Sequence, residues 1–174
     1  MKHICATLLL LCNTPELDSK DKFIYEVKSC ALHYNSMIEE HDRIPIALVI
    51  AQAIHESDWG KSRFAVQGNN LFGVRAVNGE NYILSLRLNK KVKTYLTWCE
   101  SVNDYIELLL TSYHYAKFQK ELIYQWVTDE MVIDKLVDTL DTYAKDVYYR
   151  SKIKKTIKSI EGELHGTDTE EHNF

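Results

Sequence analysis

Glu56 stands at the end of the most apolar helical stretch in the chain, IALVIAQAI at residues 46–54, and directly before Ser57-Asp58-Trp59-Gly60. A carboxyl in that place is partly desolvated, and desolvation disfavours its charged form and raises its pKa. A carboxylic acid that keeps its proton near neutral pH can hand it to a departing oxygen. Glycoside cleavage needs such an acid, because a sugar alkoxide is too basic to leave unaided. The alternative for Glu56 is a helix-terminal carboxylate in a local hydrogen bond or salt bridge. Three further acids matter for a two-carboxylate mechanism. Asp58 is expected in solvent. Glu80, directly after Asn78-Gly79, could swing over a cleft or simply solubilise a turn. Asp104, three residues after Ser101, is accounted for equally well as a helix N-terminal charge.

Other constellations are excluded or weak. His55-Glu56 is not the start of an HExxH pair, so no zinc site is expected, and no serine stands in a G-x-S-x-G elbow. Cys5, Cys12, Cys30 and Cys99 form no CxxC pair. For Cys30 and Cys99 the reading favours buried free thiols over a disulfide, since cysteine is commonly a small core residue. His114 lies between Tyr113 and Tyr115 and could line a cleft with them, although a surface histidine is the ordinary outcome. RSKIKKTIK at 150–158 reads as a solvated basic helix face, with an anionic polymer as the alternative partner.

The elements that must hold Glu56 follow from composition and period. The chain has 174 residues, 21 Lys+Arg against 25 Asp+Glu, a net charge of -4 and 45% apolar residues. That is one soluble domain large enough for a single core. The slight acidity argues against a nucleic-acid partner, and no apolar run reaches the roughly 20 residues that span a bilayer. Residues 1–18, with the apolar run ICATLLLLC, read as a signal or as a hydrophobic segment packing on the domain.

Asp18-Ser19 caps a helix expected over 20–40, and Pro45 opens a second that is apolar on every face except Gln52, as in a buried central helix. A Gly- and Asn-rich loop is expected at 65–73. Asn78-Gly79 reads as a two-residue hairpin turn leading into a small antiparallel meander, with a second polar turn at Asn89-Lys90-Lys91. A helix capped by Ser101 follows, then helices over about 117–125, 128–141 and 146–160, and a polar tail over 161–174. The expected fold class is therefore α+β and predominantly α, with a β-lobe over about 73–98 inserted into a helical domain spanning 19–160.

The segment ALVIAQAIHESDWGKSRFAVQGNNLFGV, residues 47–74, resembles the signature of the bacterial glucosaminidase family of peptidoglycan hydrolases, in particular its Bax-type branch. Weaker similarity runs through TYLTWCESVNDYIELL (94–109), SYHYAKF (112–118) and TYAKDVYYRSKI (142–153). The resemblance implies a lysozyme-like fold and cleavage of the β-1,4 bond after N-acetylglucosamine. Glu56 would be the general acid, Tyr143 a tyrosine bordering it and the substrate's N-acetyl group, and Asn69 and Asn70 part of the cleft floor. Asn69 and Asn70 are explained equally by turn chemistry. Trp59, Phe72, Tyr115 and Asp104 complete the expected substrate-binding set, with core packing as the alternative for Trp59 and Phe72. Glu80 is the one acid on a lobe shorter than the family's, and so the one candidate there for a second carboxylate. No cofactor is implied. The partner would be peptidoglycan glycan strands, met by a monomer in the cell envelope or outside the cell. The rival readings are a lytic transglycosylase using Glu56 and a wall-binding or assembly protein of little activity.

Overall fold

The computed structural model describes residues 18–85, 89–141, 143 and 146–166. Helix α2 (Ile46–Ser57) is central, as its uninterrupted apolar surface requires: Leu48, Val49, Ile50, Ala51 and Ala53 are all fully buried. Helix α1 (Ser19–Asn35) packs on it and on α4 (Trp98–Thr111), while α7 (Tyr149–Gly166) closes the opposite flank of α2. Asp18 caps α1, its carboxylate accepting from the backbone N–H groups of Lys20 and Asp21. The helix stops five residues short of the expected Glu40. The Asn35 side chain donates to the Ile44 carbonyl and the Asn35 carbonyl accepts from the Arg43 guanidinium, so the chain folds back through a short 3-10 turn.

After α2 the backbone enters the left-handed region at three successive residues, Asp58, Trp59 and Gly60. The Ser57 hydroxyl donates to the Ala53 carbonyl and accepts from the Gly60 N–H, which ends the helix one residue beyond Glu56. Only glycine fits at position 60. Its φ is +75°, and a Cβ there would lie 2.8 Å from the Trp98 ring. The expected loop at 65–73 begins instead as a helix, α3 (Arg63–Gly68), capped by Ser62. Six residues are too few for the apolar period to register.

The lobe pairs β1 (Tyr82–Ser85) with β2 (Lys90–Lys93), antiparallel, with Tyr82 opposite Lys93 and Ser85 opposite Lys90. Residues 86–88, between the two strands, lie outside the described residues. Asn78-Gly79 is a turn but not the hairpin turn expected: the Glu80 N–H closes it onto the Val77 carbonyl. The preceding segment meets β2 through an Arg75–Val92 bridge, on the edge away from Ile83, so β2 lies between them and no sequential meander forms. The cap of α4 is Thr97, whose hydroxyl accepts from the Glu100 N–H. Ser101, expected there, is buried and takes the Leu71 N–H instead.

Beyond α4 come α5 (Ala116–Thr128), a short α6 (Ile133–Asp138) and α7, which buries Ile153, Ile157 and Ile160 along one stripe. Of the basic residues on α7, Lys152 pairs with Asp146 and Lys154 with Asp138. Cys30 and Cys99 form a disulfide joining α1 to α4, which corrects the expectation of free thiols. The side-by-side packing of α1 and α4 brings the two Cα atoms within 4.9 Å across a sequence separation of 69. Cys5 and Cys12, residues 1–17 of the N-terminal segment and most of the tail lie outside the described residues. Among the described residues no helix is long and apolar enough to cross a membrane.

Candidate active site

Glu56 is half-buried on the last turn of α2, and burial pushes its carboxyl above the usual carboxylate range. A hydrogen bond from the Tyr149 hydroxyl opposes that rise without cancelling it. Three further tyrosines sense its charge: Tyr105 from α4, Tyr115 from the 3-10 turn after α4, and Tyr143 from the segment after α6. Their rings pack on one another. Tyr143 meets Tyr105 edge to face at 6.1 Å and stacks with Tyr149 at 5.6 Å. Tyr115 lies 6.2 Å from Tyr143. Burial also holds all four phenols above their ordinary range, so they stay protonated and can donate hydrogen bonds.

Behind the carboxyl runs a polar chain inside the core. Gln52, one helical turn before Glu56, is fully buried. Its amide N–H donates to the Tyr149 hydroxyl at 2.9 Å, and its carbonyl accepts from the Tyr105 hydroxyl. Gln52, Tyr105 and Tyr149 were not among the residues expected to serve the site. Gln52 is the one polar residue in the apolar run 46–54, four residues before Glu56 and so on the same face. Tyr149 lies in the same TYAKDVYYRSKI segment as Tyr143, six residues after it.

Of the remaining candidates, Tyr115 and Tyr143 are half-buried beside Glu56. The Tyr143 hydroxyl is committed to the Phe72 carbonyl, so what it presents is its ring. Phe72 lies in the core with its face against Tyr105 at 3.9 Å. Trp59 meets Phe23 edge-on, and the Lys20 ammonium covers its ring. Asn70 is buried with four hydrogen bonds: it donates to the carbonyls of Val74 and Lys93 and accepts from the N–H groups of Phe72 and Val74. Asn69 ends α3 at φ +51° and donates to the carbonyls of Tyr95 and Leu96. Both asparagines tie the lobe to the helical body.

Glu80 and Asp104 gather elsewhere, around Lys93. That ammonium lies 2.7 Å from Glu80 and 3.0 Å from Asp104, and Asp104 also accepts from the Tyr95 hydroxyl. The second oxygen of Glu80 accepts from the Val77 N–H. Lys93 and that N–H hold the Glu80 carboxyl below its ordinary range. Asp104 thus serves a lobe-to-helix contact rather than the helix terminus. A cavity of about 470 Å³ opens between α1 and the start of α4, with Tyr25, Asn69, Trp98 and the disulfide in its wall; Glu56 does not line it. No group of three metal-ligating side chains occurs among the described residues.

The family described as mannosyl-glycoprotein endo-beta-N-acetylglucosaminidase matches residues 31–162. The exo-glucosaminidase LytG of Bacillus subtilis is 28% identical over 85% of this chain and 59% of its own length. Protein bax of Escherichia coli is 36% identical over 50% of this chain and 31% of its own length. The chain thus spans from under a third to about three-fifths of the curated relatives it matches. Among solved structures, the catalytic domain of the autolysin Auto from Listeria monocytogenes superposes with a TM-score of 0.64. That match covers 83% of this chain and 85% of the autolysin domain at 21% identity, a likeness of fold. The fold is the lysozyme-like one, a helical body carrying a small antiparallel lobe.

Proposed function

The chain belongs to the glucosaminidase family of glycoside hydrolases, and from that premise we propose that it cleaves the β-1,4 bond after N-acetylglucosamine in peptidoglycan glycan strands, with Glu56 as general acid. The observation that carries this reading is the Glu56 carboxyl, half-buried among four tyrosines, held above the carboxylate range and so able to arrive protonated. It would give its proton to the glycosidic oxygen as the bond breaks. The rings of Tyr115 and Tyr143 beside it would meet the sugar and its N-acetyl group. The protein would act in the cell envelope or outside the cell, where its polymer lies, as a monomer without a cofactor.

Glu80 would have to leave both Lys93 and the Val77 N–H to serve as base or nucleophile. Its bonds support an anchoring role, and they favour attack by the substrate's own N-acetyl oxygen, which needs no protein nucleophile.

The test is release of reducing ends from purified peptidoglycan, with mass spectrometry of the fragments. Wild type is expected to liberate N-acetylglucosamine reducing ends, and Glu56→Gln to fall by about 10²-fold or more. Equal activity in both proteins overturns the assignment of Glu56. Anhydro ends in the products identify a transglycosylase instead, and binding without release identifies a wall-binding protein. Glu80→Gln should lose far less than the roughly 10²-fold of a missing base. A loss matching that of Glu56→Gln would make Glu80 the second carboxylate.

A further inference from the structure

Gln52, one helical turn before Glu56, is fully enclosed, and burying an amide is costly unless its hydrogen bonds are made. Both ends of this amide are used, and in a particular sense. Tyr105 has one phenolic proton and donates it to the Gln52 carbonyl oxygen. That leaves the amide nitrogen, which can only donate, facing the Tyr149 oxygen. Tyr149 accepts that bond and keeps one proton of its own, which is left for the neighbouring Glu56 carboxyl. Turned over, the same amide would offer its oxygen to Tyr149 and draw that proton away from Glu56.

We propose that Gln52 is a positioning residue for Glu56: with its amide oriented by Tyr105, it commits the Tyr149 hydroxyl proton to the Glu56 carboxyl. The relay spans three helices, since Tyr105 lies on α4, Gln52 and Glu56 on α2, and Tyr149 at the start of α7. Each member is held by its surroundings. Tyr105 is sandwiched against Phe72, Tyr149 against Tyr143, and Gln52 lies within the most buried helix of the molecule. The relay gives Glu56 two properties that burial alone would not. Its carboxyl is fixed in orientation, and its proton is held less tightly than in an apolar pocket, because a donor stabilises the ionised form that remains after transfer. The groups facing Glu56 are Tyr105, Tyr115, Tyr143 and Tyr149. Its neighbour His55 is turned away onto Thr156 of α7. Among the described residues, burial and the Tyr149 hydroxyl are the influences on Glu56, so a change in that one bond should be readable.

The inference rests on the proposed role of Glu56 for its consequence in catalysis, but the first measurement does not. Titration of the Glu56 side-chain carboxyl carbon by NMR, identified by its loss in Glu56→Gln, reads the relay whether or not Glu56 is the acid. Tyr149→Phe should move the midpoint upward by about one pH unit, as expected for a lost hydrogen bond to a charged group. Gln52→Met and Tyr105→Phe should move it in the same direction, because either change frees Tyr149 to point its proton elsewhere. Tyr105→Phe removes one oxygen and keeps the ring on Phe72, so it carries the test if Gln52→Met fails to fold.

A merely structural Gln52 would lower Tm in its variant and leave the midpoint in place. An unmoved midpoint in Tyr105→Phe, or in a folded Gln52→Met, overturns the proposal. The second readout is the pH profile of kcat/KM on peptidoglycan, whose alkaline limb should shift upward with the midpoint. If the midpoints shift and Glu56→Gln stays fully active, the relay stands and the general-acid reading falls. If the midpoints stay and Glu56→Gln is inactive, the general acid stands and the relay falls.

Discussion

Glu56 is a residue whose local chemistry works against the fold. Its carboxyl is raised by burial, so the folded chain holds a proton that the unfolded chain has already released. Above the unfolded carboxylate value, the folded state binds more protons than the unfolded one, and its stability falls as pH rises through the folded value. Glu56→Gln removes that penalty. The variant should therefore melt above wild type at neutral pH, and the gain should vanish as pH falls to the ordinary glutamate range. Calorimetry of the two proteins across pH 4–8 checks this. A Tm difference that stays constant with pH would mean that Glu56 titrates like a solvated side chain. The loss of activity and the gain of stability should thus come from one substitution, because an acid kept protonated by desolvation is an acid the fold would rather not carry.

At the scale of elements, the lobe is attached by a few fully used polar groups. Its two strands are four residues each, too short to be stable alone. Asn70 bonds the loop after α3 to itself and to β2, while Lys93 joins Glu80 to Asp104 on α4. Arg63 reaches the Leu84 carbonyl, and Gly68 lets Ile83 and Thr94 approach within 2.9 Å of where a Cβ would stand. Asn70→Ala leaves buried partners unsatisfied and should cost about 2–4 kcal/mol, counted as one or two unsatisfied buried groups. Hydrogen exchange should then show the loss concentrated in β1, β2 and the 70–76 loop. Uniform destabilisation without faster exchange in the lobe would contradict its role as the tie.

Across the whole molecule, the Cys30–Cys99 disulfide closes a loop that contains α2, α3 and the entire lobe. In the chain-entropy picture, a loop of that length should stabilise the fold by about 4 kcal/mol. Reduction, or Cys30→Ser with Cys99→Ser, should lower the denaturant midpoint accordingly, and the change should be readable by urea unfolding with and without reductant. Unchanged midpoints would mean that the packing of α1 on α4 holds without the covalent tie. The same closure places the cap of α4, Thr97, close to the Gly60 turn through Trp98, so the disulfide and the end of the Glu56 helix share one corner of the core.

The primary structure alone determined the central helix, its end and the acid upon it. A nine-residue stretch that is apolar at every position but Gln52 can only be buried, and a carboxyl at its end must be desolvated. The dense match of residues 47–74 to one family carried the fold as well, since the turn after Glu56 and the loop around Asn70 are built from local backbone requirements written in adjacent residues. Long-range partners were another matter. That Cys30 meets Cys99, that Lys93 holds both Glu80 and Asp104, that Phe72 spends its face on Tyr105, and that Tyr149 rather than Tyr143 bonds the acid are products of which helices pack together. None of these pairings leaves a periodic or compositional trace, because each member looks locally like an ordinary surface acid, a core aromatic or a free thiol. Only the tertiary structure decided them, through packing that joins residues tens of positions apart and uses up each hydrogen-bonding capacity once.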